Sequence, residues 1–172
     1  MLSIIAPKDM PYILMGIVVN MFLCTITPPL VVIQQRLSTF NLEYLSNFAV
    51  EHEDNFPGTY IPAGGIPDHG SGWYSKKLDY RNWFQFNVRH RIHMNFVESL
   101  PVNFMFSFLC AFYYPKIALL GTWGLVAGRI IYTIGYFITP ESRGWGGFLM
   151  FVCSLTMMVS TIVGVSNAIN DY

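Results

Sequence analysis

The sequence predicts an all-α integral membrane protein built as a four-transmembrane-helix bundle. Three observations point that way. Residues 10–35 and 144–170 carry no charged side chain, and each exceeds the roughly 20 residues that cross a hydrocarbon core. Two more apolar segments, 84–114 and 117–138, are interrupted only by a few charged groups. Finally, 12% of residues are charged while 53% are hydrophobic, a balance suited to lipid and not to a soluble core. The spans are placed at about residues 10–36, 84–114, 117–138 and 145–168, within one domain over 1–172.

The N-terminal apolar run is too long for a cleavable signal, lacks a basic leader and shows no convincing small-residue cleavage site. It also lacks the Arg- and Ser-rich amphipathic leader of a mitochondrial presequence. Net charge is zero, which gives no electrostatic footprint for nucleic acid. Cys24, Cys110 and Cys153 fall inside spans and read as small hydrophobes, neither disulfides nor metal ligands.

The first span contains Pro28 and Pro29. Proline removes a backbone donor and clashes with the preceding turn, so a kink or break is expected there. The span closes on Gln34, Gln35 and Arg36. Residues 40–83 form a long loop with Pro57, Gly58, Pro62, Gly64, Gly65, Pro67, Gly70 and Gly72. That density forbids a long helix and favours turns and extended chain. Trp73, Tyr74, Tyr80 and Trp83 place its second half along the membrane interface. Glu51, His52, Glu53, Asp54, Asp68 and His69 read as a solvated acidic loop, because their spacings match no compact metal site. Arg36, Lys76, Lys77, Arg81 and Arg143 share one side of the membrane, against Lys8 and Lys116 on the other. The positive-inside rule puts the loop in the cytosol and both termini outside or in a lumen.

The second span holds the most informative stretch, Arg91-Ile92-His93-Met94-Asn95-Phe96-Val97-Glu98-Ser99-Leu100-Pro101. At about 100° per residue, Asn87, Arg91, Asn95 and Glu98 share one helix face, and Arg89 and His93 lie opposite. Ionisable groups in a membrane helix are expensive and mark sites by default. Two polar faces require two protein neighbours, since lipid satisfies neither, so an oligomer is expected. In the third span Arg129, Tyr132 and Tyr136 form one stripe, facing the polar side of the second span. Gly121, Gly124, Gly128 and Gly135 form an adjacent stripe, a face for close helix packing. The fourth span, without ionisable residues, is structural.

Together Arg36, Arg91, Asn95, Glu98, Arg129, Tyr132, Tyr136 and Arg143 set four arginines against one carboxylate. Guanidinium forks pair with carboxylates in bidentate fashion, which points to an anionic ligand with several carboxylates. Glu98 offers a place for that ligand's amine. A zwitterionic peptide fits such a lining. The competing reading is a structural network in which Glu98 pairs with Arg129 or Arg91 to hold helices in register.

The Arg91–Pro101 segment resembles the Arg-x-His/Gln-x-Asn-x-x-Glu-x-x-Pro signature of the MAPEG family, the membrane-associated proteins in eicosanoid and glutathione metabolism. Gly128-Arg129-Ile130-Ile131-Tyr132-Thr133-Ile134-Gly135-Tyr136 is similar to that family's second motif. Tyr113-Tyr114-Pro115-Lys116-Ile117-Ala118 resembles the microsomal glutathione S-transferase 3 branch. The motif-bearing match runs over roughly residues 82–147. Ile92, Ser99 and His90 depart from the usual residues, and the prolines of the first span and the long loop are additions.

The resemblance implies a homotrimer that binds glutathione between protomers. It assigns glutathione contacts to Arg91, Asn95, Glu98, Tyr132 and Tyr136 of one subunit, with Arg129 beside them, and to Arg36 and His93 of its neighbour. Arg143 is then the thiolate-stabilising arginine, because a nearby positive charge favours thiolate over thiol. The implied activity is glutathione transferase or glutathione-dependent peroxidase, extending to leukotriene C4 synthase-like chemistry. The partners are a lipophilic electrophile or lipid hydroperoxide arriving through membrane lipid. Glutathione serves as co-substrate, and no metal or organic cofactor is expected. The endoplasmic reticulum is the expected membrane, with a mitochondrial membrane as the alternative. A competing reading makes the chain a non-catalytic subunit of a larger membrane complex, with the long loop as its docking element. A lipid-binding module of the same fold without the activity is disfavoured by the retained motif residues.

Overall fold

The computed structural model describes residues 7–171, and every regular element among them is helical. The first is α1 (Met10–Thr27). Pro28 and Pro29 cannot donate to the carbonyls one turn back. The backbone responds with a π-turn over Pro28–Val32, closed by Ile33 N–H donating to the Pro28 carbonyl. The α-helix resumes as α2 (Ile33–Thr39). The break expected at the prolines is thus a widened turn inside one helical run, Met10–Thr39. Two short helices follow, α3 (Leu42–Ser46) and α4 (Ala49–Asn55). After two single 3-10 turns, Ala63–Gly65 and Ser75–Lys77, the remaining helices are long: α5 (Tyr80–Tyr113), α6 (Pro115–Ile138) and α7 (Arg143–Asn170). Among the described residues, four helical runs are long and apolar enough to cross a membrane.

Two compact units emerge. One comprises the described residues through Thr25 and from Asn95 onward, and the other is Ile26–Met94. In the first unit α6 and α7 pack closely, and the glycine stripe explains why. A Cβ on Gly121 would come within 2.7 Å of Met157, and one on Gly128 within 2.6 Å of Met150. From the other side, a Cβ on Gly146 would meet the backbone of Tyr132 and Gly128. Lipid tails are as apolar as leucine, so this contact comes from backbone proximity and not from hydrophobic burial. Ile13 and Ile17 of α1, Cys110 and Ala111 of α5, Ala118 and Leu125 of α6 and Met157 of α7 complete one buried cluster. Polar groups add interhelical ties. Asn20 Nδ2 donates to the Gly16 and Thr122 carbonyls at 3.1 and 3.5 Å, and Ser154 Oγ donates to Asn103 Oδ1 at 2.6 Å.

In the second unit the long connection is better ordered than its Pro/Gly content predicts. Asn41 caps α3 by accepting from Tyr44 N–H at 2.8 Å. Phe40, Leu45 and Phe86 are buried together, with the Phe40 and Phe86 rings 5.0 Å apart edge to face. Phe48 meets Tyr74 in the same way at 4.9 Å. Most of the turns and extended chain expected for residues 40–83 lie in the stretch after α4. The acidic loop is also not uniformly solvated: Asp68 is only 5% exposed.

Candidate functional site

In the first unit, Asn95 on α5 donates through Nδ2 to the Tyr132 hydroxyl on α6. One turn on, Arg129 Nη1 donates to the Asn95 carbonyl at 3.1 Å, and Nη2 donates to Ser99 Oγ. The Arg129 guanidinium lies 4.4 Å from the Phe96 ring centroid. The Arg/Tyr stripe of α6 therefore faces the polar side of α5, as its spacing predicts. Arg129 is 3% exposed and both terminal nitrogens donate to α5, so it joins the two helices. A guanidinium at this depth must find acceptors in protein, and a carbonyl beside a serine hydroxyl supplies them. Ser99, which the sequence shows only as a departure from the motif, is one of those acceptors. Its own hydroxyl donates to the Asn95 carbonyl at 2.6 Å.

The Tyr132 and Tyr136 rings meet edge to face at 5.1 Å. Arg143 opens α7 and lies with its guanidinium 4.9 Å from the Tyr136 ring. Gly135 makes this approach possible, since a Cβ there would come within 2.7–2.8 Å of the Ser142 carbonyl and Arg143 nitrogen. Within this unit Asn95, Tyr132, Tyr136 and Arg143 are linked in series by one hydrogen bond and two ring contacts. Glu98 is exposed on α5, three residues beyond Asn95.

The other expected site residues belong to the second unit. Arg91 is exposed on α5, and His93 is half-buried with a buried Nδ1 that has no hydrogen-bond partner among the described residues. Arg36 is committed to the loop. Its Nη1 donates to the Gly64 carbonyl at 3.0 Å and its Nη2 to the Asp68 carbonyl at 2.6 Å. Phe86 supports the guanidinium face at 5.2 Å. The Asp68 carboxylate points elsewhere. Oδ1 accepts from Gly70 N–H (2.8 Å), Gly72 N–H (3.0 Å) and Ser75 Oγ (2.8 Å), and Oδ2 from Ser75 N–H (2.7 Å). Burial by itself raises this carboxyl's pKa, but the hydrogen bonds from Ser75, Gly70 and Gly72 outweigh it and hold the group below the usual aspartate value. Sequence reasoning missed Asp68, and the glycine and serine spacing that follows it was the available signal.

A bundle of spanning helices with two polar motifs meeting across one helix pair defines a class of membrane protein. A model of the MAPEG family matches residues 14–163, and the chain belongs to that family. No curated protein and no solved structure gives a significant match.

Proposed function

We propose that the protein is a membrane glutathione transferase or glutathione-dependent lipid hydroperoxide peroxidase, related most to the microsomal glutathione S-transferase 3 branch of its family. The observation that carries this reading is the series Asn95–Tyr132–Tyr136–Arg143, drawn from the two family motifs on α5 and α6 and from the start of α7 just beyond them. Glutathione carries two carboxylates and one ammonium. Arg91 is offered to a carboxylate, Glu98 to the ammonium, and Asn95, Tyr132 and Tyr136 to the peptide groups. Arg129 acts indirectly by fixing the Asn95 turn. In a homotrimer, Arg36 and His93 come from the neighbouring protomer.

Arg143 is assigned the sulfur. Its charge, at the opening of a helix whose N-terminal N–H groups also favour an anion, lowers the thiol pKa. The thiolate attacks an electrophilic carbon and displaces its leaving group. With a hydroperoxide it attacks the terminal oxygen instead: the S–O bond forms as the O–O bond breaks, the alkoxide takes a proton, and a second glutathione resolves the sulfenic acid to disulfide and water. Apolar partners enter from the bilayer, in the endoplasmic reticulum or, alternatively, a mitochondrial membrane.

A second reading, a subunit of a larger membrane complex with little catalysis, is favoured by a groove beside α3 and α4 lined by Leu42, Leu45, Ala49, Val50, Tyr60 and Ile61. Tyr60 there is 95% exposed. The discriminating experiment is calorimetric titration of the detergent-purified protein with glutathione, followed by turnover of a model electrophile and a lipid hydroperoxide. Binding with turnover supports the enzyme. Absent turnover, together with co-purification of fixed partners, supports the subunit.

A further inference from the structure

We propose that Asp68 is a positioning residue for Arg36, and that residues 64–75 form a strap whose purpose is to present a charged guanidinium to an anionic ligand. The inference rests on the glutathione-binding reading given above and names a residue that the family motifs do not contain.

The chemistry lies in which oxygen faces the arginine. An aspartate next to an arginine ordinarily offers its carboxylate, and the pair then cancels much of its own charge. Here Asp68 gives Arg36 its backbone carbonyl, at 2.6 Å, and the Gly64 carbonyl takes the other terminal nitrogen at 3.0 Å. Neutral acceptors orient the guanidinium without forming an ion pair with it, while the Asp68 charge stays within electrostatic reach. Phe86 against its face, 5.2 Å from the ring centroid, restricts it further. Unlike Arg129, Arg36 is only half-buried, so the guanidinium N–H groups that these two carbonyls do not use can reach an anion.

The Asp68 carboxylate acts one step back. The N–H groups of Gly70, Gly72 and Ser75, with the Ser75 hydroxyl, form an anion-binding concavity that the carboxylate fills from within the same chain. That closure fixes the peptide whose carbonyl holds Arg36. The strap is also fastened at its middle. The Gly70 carbonyl accepts from Trp83 Nε1 and Asn87 Nδ2, both at 3.1 Å, on the first turns of α5. Gly70 itself has φ +100, a conformation that L side chains rarely adopt. Arg36, flexible by nature, is thereby pre-ordered before any ligand arrives, which reduces the entropy lost on binding.

Asp68→Asn preserves shape but sets an amide N–H₂ against the N–H donors of the concavity, so the strap should loosen without removing Arg36. The test is a double-mutant cycle on glutathione affinity, by calorimetry on the intact detergent-purified protein, with kcat and KM recorded in parallel. Asp68→Asn should weaken glutathione binding about tenfold, raising KM with kcat nearly unchanged. Arg36→Ala should weaken it at least as much. The double variant should bind no worse than Arg36→Ala alone, because Asp68 acts only through Arg36. Ser75→Ala, which removes a single donor, provides a gentler variant should Asp68→Asn fail to fold, with an expected loss of about threefold, again absent in the Arg36→Ala background. Unchanged affinity in a folded strap variant, or losses that add to that of Arg36→Ala, would overturn the proposal. If the unmodified protein does not bind glutathione, the functional reading itself has failed, a result distinct from either.

Discussion

The α6–α7 joint and the strapped loop solve the same problem, holding two backbone segments together, by opposite means. The joint has almost no charge at its contact. It relies on glycines that let one helix touch the other, with Gly146 against the backbone of Gly128 and Tyr132. The loop relies on a buried charge satisfied by N–H groups, with an aromatic cluster of Phe40, Tyr44, Phe48 and Tyr74 beside it. In lipid there is no hydrophobic gain on bringing helices together, so close packing must do it. In a connection outside the spans and too short for a large core, a satisfied carboxylate supplies the specificity that apolar burial alone would not.

The comparison predicts different failures in the two regions. Gly146→Leu should have the largest effect. Its Cβ has no space against a neighbouring backbone that cannot move aside, so the penalty should reach or exceed the upper end of the ~1–3 kcal/mol seen for overpacking. Thermal unfolding in detergent should show a much lower midpoint, and an unchanged midpoint would mean that α6 and α7 are not in contact. Asp68→Ala should act locally. Losing a charged acceptor with several donors should destabilise the strap by about 2–3 kcal/mol. Limited proteolysis should then cut within residues 64–75 while the helices stay intact.

The pH dependence of the same loop sharpens the contrast. Because the native Asp68 carboxyl lies below its ordinary value, its contribution is fully present above the unfolded pKa of about 3.9. It is lost as the pH falls through the lower native value. Proteolytic protection of residues 64–75 should therefore hold from neutrality down to mild acid and disappear only in strong acid. The Asp68→Ala loop should lack that transition. Lys77→Ala should have the smallest effect. Lys77 Nζ lies 3.6 Å from Glu51 and within 5 Å of Phe48 and Trp73, but its side chain is 51% exposed. A change of at most about 1 kcal/mol is expected in chemical denaturation.

The two regions also differ in how far the sequence reveals them. The spans are legible because a long run without charge has few other uses, and the glycine and Arg/Tyr stripes of α6 are legible because a helix has a single period. The start of α5 at Tyr80 is four residues earlier than the apolar run suggests. Asp79, whose side chain accepts from Asn82 N–H at 3.4 Å, is a recognisable cap that marks the earlier start. The helices α3 and α4 are hidden because the Pro/Gly density of residues 57–72 colours the whole connection, although Asn41 and the Leu42–Ser46 pattern signal the first of them. The Asp68 concavity and the capture of Arg36 depend on loop closure, which no local period encodes. Arg129 illustrates the limit within a motif. Its face is readable from spacing, but its confinement by Asn95, Ser99 and Phe96 appears only once two helices are set side by side.

The central claim, that a chain of polar groups from Asn95 to Arg143 binds glutathione as thiolate, is tested most directly by ultraviolet thiolate absorbance of the glutathione complex across pH. The unmodified protein should show thiolate at neutral pH, well below the free thiol value of about 8.5. Arg143→Ala should still bind glutathione but form thiolate only near that free value, with turnover depressed in parallel. A complex that shows no thiolate at neutral pH, or a thiolate that survives Arg143→Ala unchanged, would contradict the account.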